Sequence, residues 1–130
     1  MPHYYALIPA AGSGSRMGMT TPKQYLELLG RPLIYHALKP LCDYALIKRV
    51  FVVLSPDDRH FLNYDWREFG DKLCPLYVGG NSRAESVRNG LHSLQERLHD
   101  QDWMLVHDAA RPCLSQPGDG SRFRDVDLVI

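Results

Sequence analysis

Three observations predict an α/β fold with a doubly wound, mostly parallel sheet. Short apolar runs without polar alternation recur along the 130 residues, and segments of helical periodicity lie between them. The composition, 45% hydrophobic and 23% charged, is that of one ordinary globular domain. Unbroken apolar strands are the kind buried on both faces, and their alternation with helices signals βαβ units. In such sheets ligands gather at the carboxyl ends of the strands, where the strand order reverses.

The elements follow in order. Tyr4 to Pro9 reads as a first buried strand, and Ala10 to Pro22 as a loop rich in Gly and Ser. From Pro32, Leu33, Ala37, Leu38 and Leu41 recur at helical intervals, with Pro32 suited to a first turn. Val50 to Leu54 is a second buried strand. Asp57-Asp58 is suited to cap a short helix carrying Phe61, Leu62, Trp66 and Phe69 and ending at Gly70. Pro75 to Val78 reads as a third strand, stopped by Gly79-Gly80. Arg83 to Leu98 predicts a helix with Val87, Leu91, Leu94 and Leu98 on one stripe. Trp103 to Val106 is a fourth strand, ending in His107-Asp108. Gly12, Gly80 and Asp108 are therefore expected at one rim of the sheet.

Composition excludes several classes of function. Fifteen Lys+Arg balance fifteen Asp+Glu, so the excess of positive charge typical of a nucleic-acid-binding domain is absent. The apolar runs fall far short of the roughly 20 residues that span a bilayer. Cys42, Cys74 and Cys113 form no CxxC pair, which fits a reducing, cytoplasmic compartment. The first strand begins at Tyr4, so no secretory or transit segment is expected.

The strongest local signal is Ala10-Ala11-Gly12-Ser13-Gly14-Ser15-Arg16-Met17-Gly18, directly after the first strand. Closely spaced glycines let bare amides approach a ligand, and phosphate oxygens suit such a cradle. Neither a dinucleotide fingerprint nor a Walker loop fits the spacing: Met17 stands where the third glycine belongs, and no Gly-Lys-Ser/Thr follows. No Asp or Glu precedes Glu27, so Arg16 and Lys23 lack local counter-ions. They suit a polyphosphate, or else solvated positions on a surface turn.

A second signal is Gly79-Gly80-Asn81-Ser82-Arg83-Ala84-Glu85-Ser86-Val87 at a strand-to-helix junction. Ser82 and Glu85 have the spacing of a capping box, while the double glycine suits close approach to a ligand. Both readings stand on spacing. The third signal is His107-Asp108-Ala109-Ala110-Arg111-Pro112 after the last strand. Asp108 is placed either to ligate Mg²⁺ beside substrate phosphates or to serve as a turn carboxylate. Arg111 is either a phosphate clamp or a surface residue beside Pro112, and His107 reads as a packed strand-end residue. The remaining histidines show no ligand spacing.

Together, Ala-Ala-Gly-x-Gly-x-Arg-Met with Pro22-Lys23-Gln24-Tyr25, Gly-Gly-x-x-Arg-x-x-Ser-Val-x-x-Gly-Leu ending at Leu91, and His-Asp-Ala-Ala-Arg-Pro resemble the 2-C-methyl-D-erythritol 4-phosphate cytidylyltransferases from about Tyr5 to Leu114. The resemblance implies a Rossmann-like nucleotidyltransferase fold of the nucleotide-diphospho-sugar transferase type. It also implies transfer of a cytidylyl group from CTP to 2-C-methyl-D-erythritol 4-phosphate, with release of pyrophosphate, on a route to isoprenoids. By position, Ala10, Ala11, Gly12, Ser13 and Gly14 would wrap the triphosphate, and Arg16 and Lys23 would act as the catalytic cations. Gly80, Asn81 and Ser86 would meet the cytosine, supported by Arg83. Asp108 would sit beside Mg²⁺ and substrate, with Ala109 and Arg111 toward the methylerythritol phosphate.

On this reading residues 1–116 form the nucleotide-binding part of the domain, and 117–130 are a divergent tail. The family's homodimer arm and late substrate-binding residues are not found in that tail, so the chain is expected to be incomplete at its C-terminus and weakly active alone. A ribitol-phosphate cytidylyltransferase is the neighbouring alternative. Such enzymes show Ala-Gly-Gly and Ala-Val-Arg-Pro where this chain has Ala10-Ala11-Gly12 and Ala109-Ala110-Arg111. A non-catalytic nucleotide-binding fragment is the alternative from another class.

Overall fold

Parallel pairing organises the centre of the structure, a computed structural model that describes residues 3–11, 22–98, 102–107 and, as backbone, 126–129. Strand β1 (Tyr4–Ala10) is flanked by β4 (Ile47–Leu54) and β6 (Trp103–His107), both parallel to it. Beyond β4 lies β5 (Leu73–Leu76), also parallel, and beyond β6 lies β7 (Val126–Val129), antiparallel. The five-stranded order is β5-β4-β1-β6-β7. A separate two-stranded hairpin, β2 (Glu27–Leu28) and β3 (Arg31–Pro32), precedes helix α1 (Leu33–Asp43).

Alternation along β1 and β4 divides the core between the two faces of the sheet. Ala6, Ile8, Ala10, Val50, Val52 and Leu54 pack with Ile34, Ala37, Leu38 and Leu41 of α1. Tyr5, Leu7, Phe51 and Val53 belong to the opposite core with Met104, Val106 and Leu94, which follows helix α2 (Arg83–Ser93). Helices thus cover both faces, as the unbroken apolar strands require. The expected α/β class and mostly parallel sheet are observed.

Several details differ from the sequence expectation. The third strand lies at Leu73–Leu76 rather than 75–78, because it is laid against β4 in the register Val50↔Leu73 to Val53↔Leu76. Pro75 is tolerated there since β5 pairs on one side only. The short helix expected after Asp58 is instead two 3₁₀ segments, Phe61–Asn63 and Arg67–Lys72, the second kinked at Gly70 (φ 56°). The hairpin was not anticipated. Its turn places Leu29 and Gly30 at φ 54° and 81°, and Leu29 bears the backbone strain of a side chain in the left-handed region.

Helix α2 stops at Ser93 rather than Leu98, and its most buried positions are Ser86 and Gly90, not Val87 and Leu91. A Cβ at Gly90 would stand 2.7 Å from Val53 Cγ2 and 2.9 Å from Leu7 Cδ1. The helix therefore lies close over β1 and β4 because its inward residues are small. Val87, Leu91 and Leu98 pack around this contact as half-buried neighbours.

Candidate functional site

The strand order reverses at β1. From it the chain steps outward to β4 and β5, then returns to β6 on the other side. The crevice favoured for ligands in open α/β sheets therefore lies outside the carboxyl ends of β1 and β6. Ala10 ends β1, Ala11 follows it, and His107 ends β6 as a buried strand-end residue. The expected positions of Gly12, Ser13, Gly14, Arg16, Asp108, Ala109 and Arg111 lie outside the described residues.

The segment after β5 is drawn across this same rim. Gly79 N–H donates to Leu54 O, at the end of β4, over 2.8 Å. A Cβ at Gly79 would collide with the Ala11 side chain and come within 2.8 Å of that carbonyl. Only glycine brings the two segments this close. Asn89 Nδ2 of α2 donates to Val78 O over 2.9 Å, and Gly80 N–H donates to Ser86 Oγ over 3.0 Å. Ser86 is buried, and because its oxygen accepts from Gly80 its own O–H stays available as a donor. Asn81 and Arg83 are exposed at the mouth of the loop.

The helix-cap reading of this loop is observed. Ser82 Oγ accepts from Glu85 N–H at 3.1 Å, which is the helix cap. A Cβ on Gly80 would run into the Glu85 side chain, so the second glycine makes room for the residue beside that cap.

Lys23 reaches the rim from a later stretch of chain. It is exposed and opens a 3₁₀ turn, Lys23–Tyr25, whose Gln24 is buried and donates Nε2–H to Ala10 O over 2.8 Å. Lys23, Ala10, Ala11, Gly80 and Ser86 are thus brought to one end of the sheet from three separate stretches of chain. Gln24, Tyr25, Asp58 and Asn89 contribute to this arrangement beyond the site residues that the sequence suggests. The Pro22-Lys23-Gln24-Tyr25 run was the available signal for the first two.

Among the described residues no group of three His, Cys, Asp or Glu side chains is placed to hold a metal ion. Asp108, the residue expected beside Mg²⁺, lies outside the described residues. At the opposite, amino ends of the strands lies a separate cleft of about 440 Å³, lined by Tyr5, Lys48, Arg49, Phe51, Cys74, Arg97 and Leu98. No described helix is long and apolar enough to cross a membrane.

Comparison with known proteins gives a consistent result. The family model described as 2-C-methyl-D-erythritol 4-phosphate cytidylyltransferase matches residues 4–122. Proteins of that name from Dechloromonas aromatica and Nitrosospira multiformis are each 59% identical, over 88% of this chain and 50% of theirs. The chain spans about half the length of the curated relatives it matches. A crystal structure of a 4-diphosphocytidyl-2C-methyl-D-erythritol synthase aligns with a TM-score of 0.73 at 33% identity, over 88% of this chain and 50% of that one. The Francisella tularensis 2-C-methyl-D-erythritol 4-phosphate cytidylyltransferase aligns with a TM-score of 0.64 at 36% identity, over 87% and 46%. A CMP:2-keto-3-deoxy-manno-octonic acid synthetase, at 19% identity and a TM-score of 0.61 over 86% and 42%, shares the fold.

Proposed function

This chain belongs to the 2-C-methyl-D-erythritol 4-phosphate cytidylyltransferase family, and from that premise we propose that its carboxyl-end rim binds CTP for cytidylyl transfer to 2-C-methyl-D-erythritol 4-phosphate. The observation that carries this reading is the convergence of Ala10-Ala11 and Gly79-Gly80 at the strand-order reversal, closed by the Gly79 N–H bond to Leu54 O.

In the proposed reaction a phosphate oxygen of the acceptor attacks the α-phosphorus of CTP. The bond between that phosphorus and the bridging oxygen breaks, and pyrophosphate leaves. Phosphoryl transfer of this kind depends mainly on positioning and charge stabilisation. Backbone amides from Ala10 through Ala11, Gly12 and Ser13 to Gly14 would cradle the triphosphate, while Arg16 and Lys23 stabilise charge on the phosphorus and leaving group. Gly80, Asn81 and the Ser86 O–H would read the cytosine edge, with Arg83 supporting the loop. Asp108 would hold Mg²⁺ together with the nucleotide phosphates, and Ala109 and Arg111 would face the acceptor phosphate. The ion supplies neutralisation of phosphate charge when bound. We place this chemistry in the cytoplasm.

Calorimetric titration tests the reading. CTP in the presence of Mg²⁺ is expected to bind about tenfold or more tightly than UTP or ATP, because a mismatched base leaves buried polar groups unpaired at roughly 1–3 kcal/mol. Equal affinity for all three nucleotides would leave a phosphate cradle without base recognition.

A further inference from the structure

Among the described residues the exposed Lys23 side chain takes part in no ion pair, whereas the residue two positions later is held by a hydrogen bond and by ring stacking. Tyr25 is 3% exposed, and its hydroxyl donates to Asp58 Oδ2 over 2.7 Å. Asp58 Oδ1 accepts from His60 N–H and Phe61 N–H, both at 2.9 Å, so that carboxylate is anchored to the backbone after β4. The Tyr25 ring stacks on His60 at 5.1 Å and on Tyr64 at 6.0 Å, with planes 27° and 4° apart. Burial first, and then the bond to Asp58, push the phenol pKa far above its ordinary value, so the hydroxyl stays a donor.

The turn is also tied from its other side. Gln24 Nε2–H reaches Ala10 O, and the backbone closes with Tyr25 N–H to Pro22 O at 3.0 Å and Leu26 N–H to Lys23 O at 3.1 Å. One tie ends on β1 and the other on the segment after β4, both at the carboxyl rim. An exposed lysine carries a flexible four-carbon stem, so a fixed backbone is what limits where its ammonium can reach.

We propose that the Tyr25–Asp58 hydrogen bond is a positioning latch that holds the Lys23 turn at the rim and so sets how Lys23 meets the triphosphate. The proposal rests on the CTP reading of the rim. Neither side chain needs to touch the nucleotide. Both Asp58 oxygens are occupied by described donors, which suits an anchor better than an acid, a base or a metal ligand.

The test uses the whole chain with two readouts. Amide hydrogen exchange is followed at Leu26, whose N–H bonds to Lys23 O, in the unaltered protein and in Tyr25→Phe. Loss of the latch is expected to speed this exchange roughly tenfold, since a charge-assisted bond is removed from the turn. The second readout is affinity for CTP with Mg²⁺ in a double-mutant cycle of Tyr25→Phe and Lys23→Ala. Tyr25→Phe is expected to weaken CTP about fivefold when Lys23 is present and less than about 1.5-fold when it is absent. A merely structural tyrosine would weaken binding equally in both backgrounds, and that result overturns the proposal. Unchanged exchange at Leu26 in Tyr25→Phe overturns it as well. If the unaltered chain binds no CTP, the reading of the rim fails, and the latch is judged by the exchange result.

Discussion

Replacing Arg16 and Lys23 together by alanine is expected to weaken CTP binding by roughly two to four orders of magnitude. Hydrogen bonds to charged groups are worth about 1.5–3 kcal/mol each, and about 1.4 kcal/mol is tenfold in affinity. Two cations sharing one triphosphate will not add perfectly, so the lower end of that range is the firmer expectation. For Lys23 the fold should not notice the loss. Lys23 is exposed and, among the described residues, takes part in no ion pair, so the unfolding midpoint should move by a few degrees at most. Titration calorimetry at fixed ionic strength, paired with a thermal melt, checks both halves. Unaltered affinity in the double variant would mean that the glycine-rich segment does not hold the phosphates.

Gly79→Val should have the largest effect on the fold. A Cβ there meets the Ala11 side chain and lies 2.8 Å from Leu54 O and 3.1 Å from Leu54 C, which are backbone atoms of a central strand. The obstacle is space, because a strand backbone cannot swing aside as a side-chain tip can. Overpacking of this kind costs about 1–3 kcal/mol, and losing the Gly79 N–H bond to Leu54 O adds roughly 0.5–1.5 kcal/mol. Urea denaturation should therefore show a loss of about 3 kcal/mol, together with weakened CTP binding. A change below about 0.5 kcal/mol would show that the Gly79–Ala11 contact is not tight.

The central strands were legible because their composition leaves them little choice. β1, β4 and β6 are apolar runs, and those runs are the buried centre of the sheet. Edge strand β5 was placed two residues too late because its position depends on pairing with Val50–Val53, which local composition does not encode. The stripe Val87, Leu91, Leu94 and Leu98 packs against the sheet as expected, but it is not what brings α2 closest to the strands. Hydropathy weights Val87 and Leu91, whereas the closest approach to the sheet is made by Ser86 and Gly90, whose use lies in being small. The site motifs stood out through clustered glycines and lone cations. Its supports did not, since the Tyr25–Asp58 pair spans 33 positions and Asn89 acts on a carbonyl 11 positions away.

Mapping amide chemical shifts during titration with CTP and Mg²⁺ tests most directly whether the carboxyl-end rim is the nucleotide site. The expected result is saturable shifts at Ala11, Lys23, Gly80, Asn81 and Ser86, smaller with UTP, and none at Lys48, Arg49 or Arg97 around the amino-end cleft. Shifts confined to that opposite cleft, or no saturable shift on either rim, would contradict the assignment.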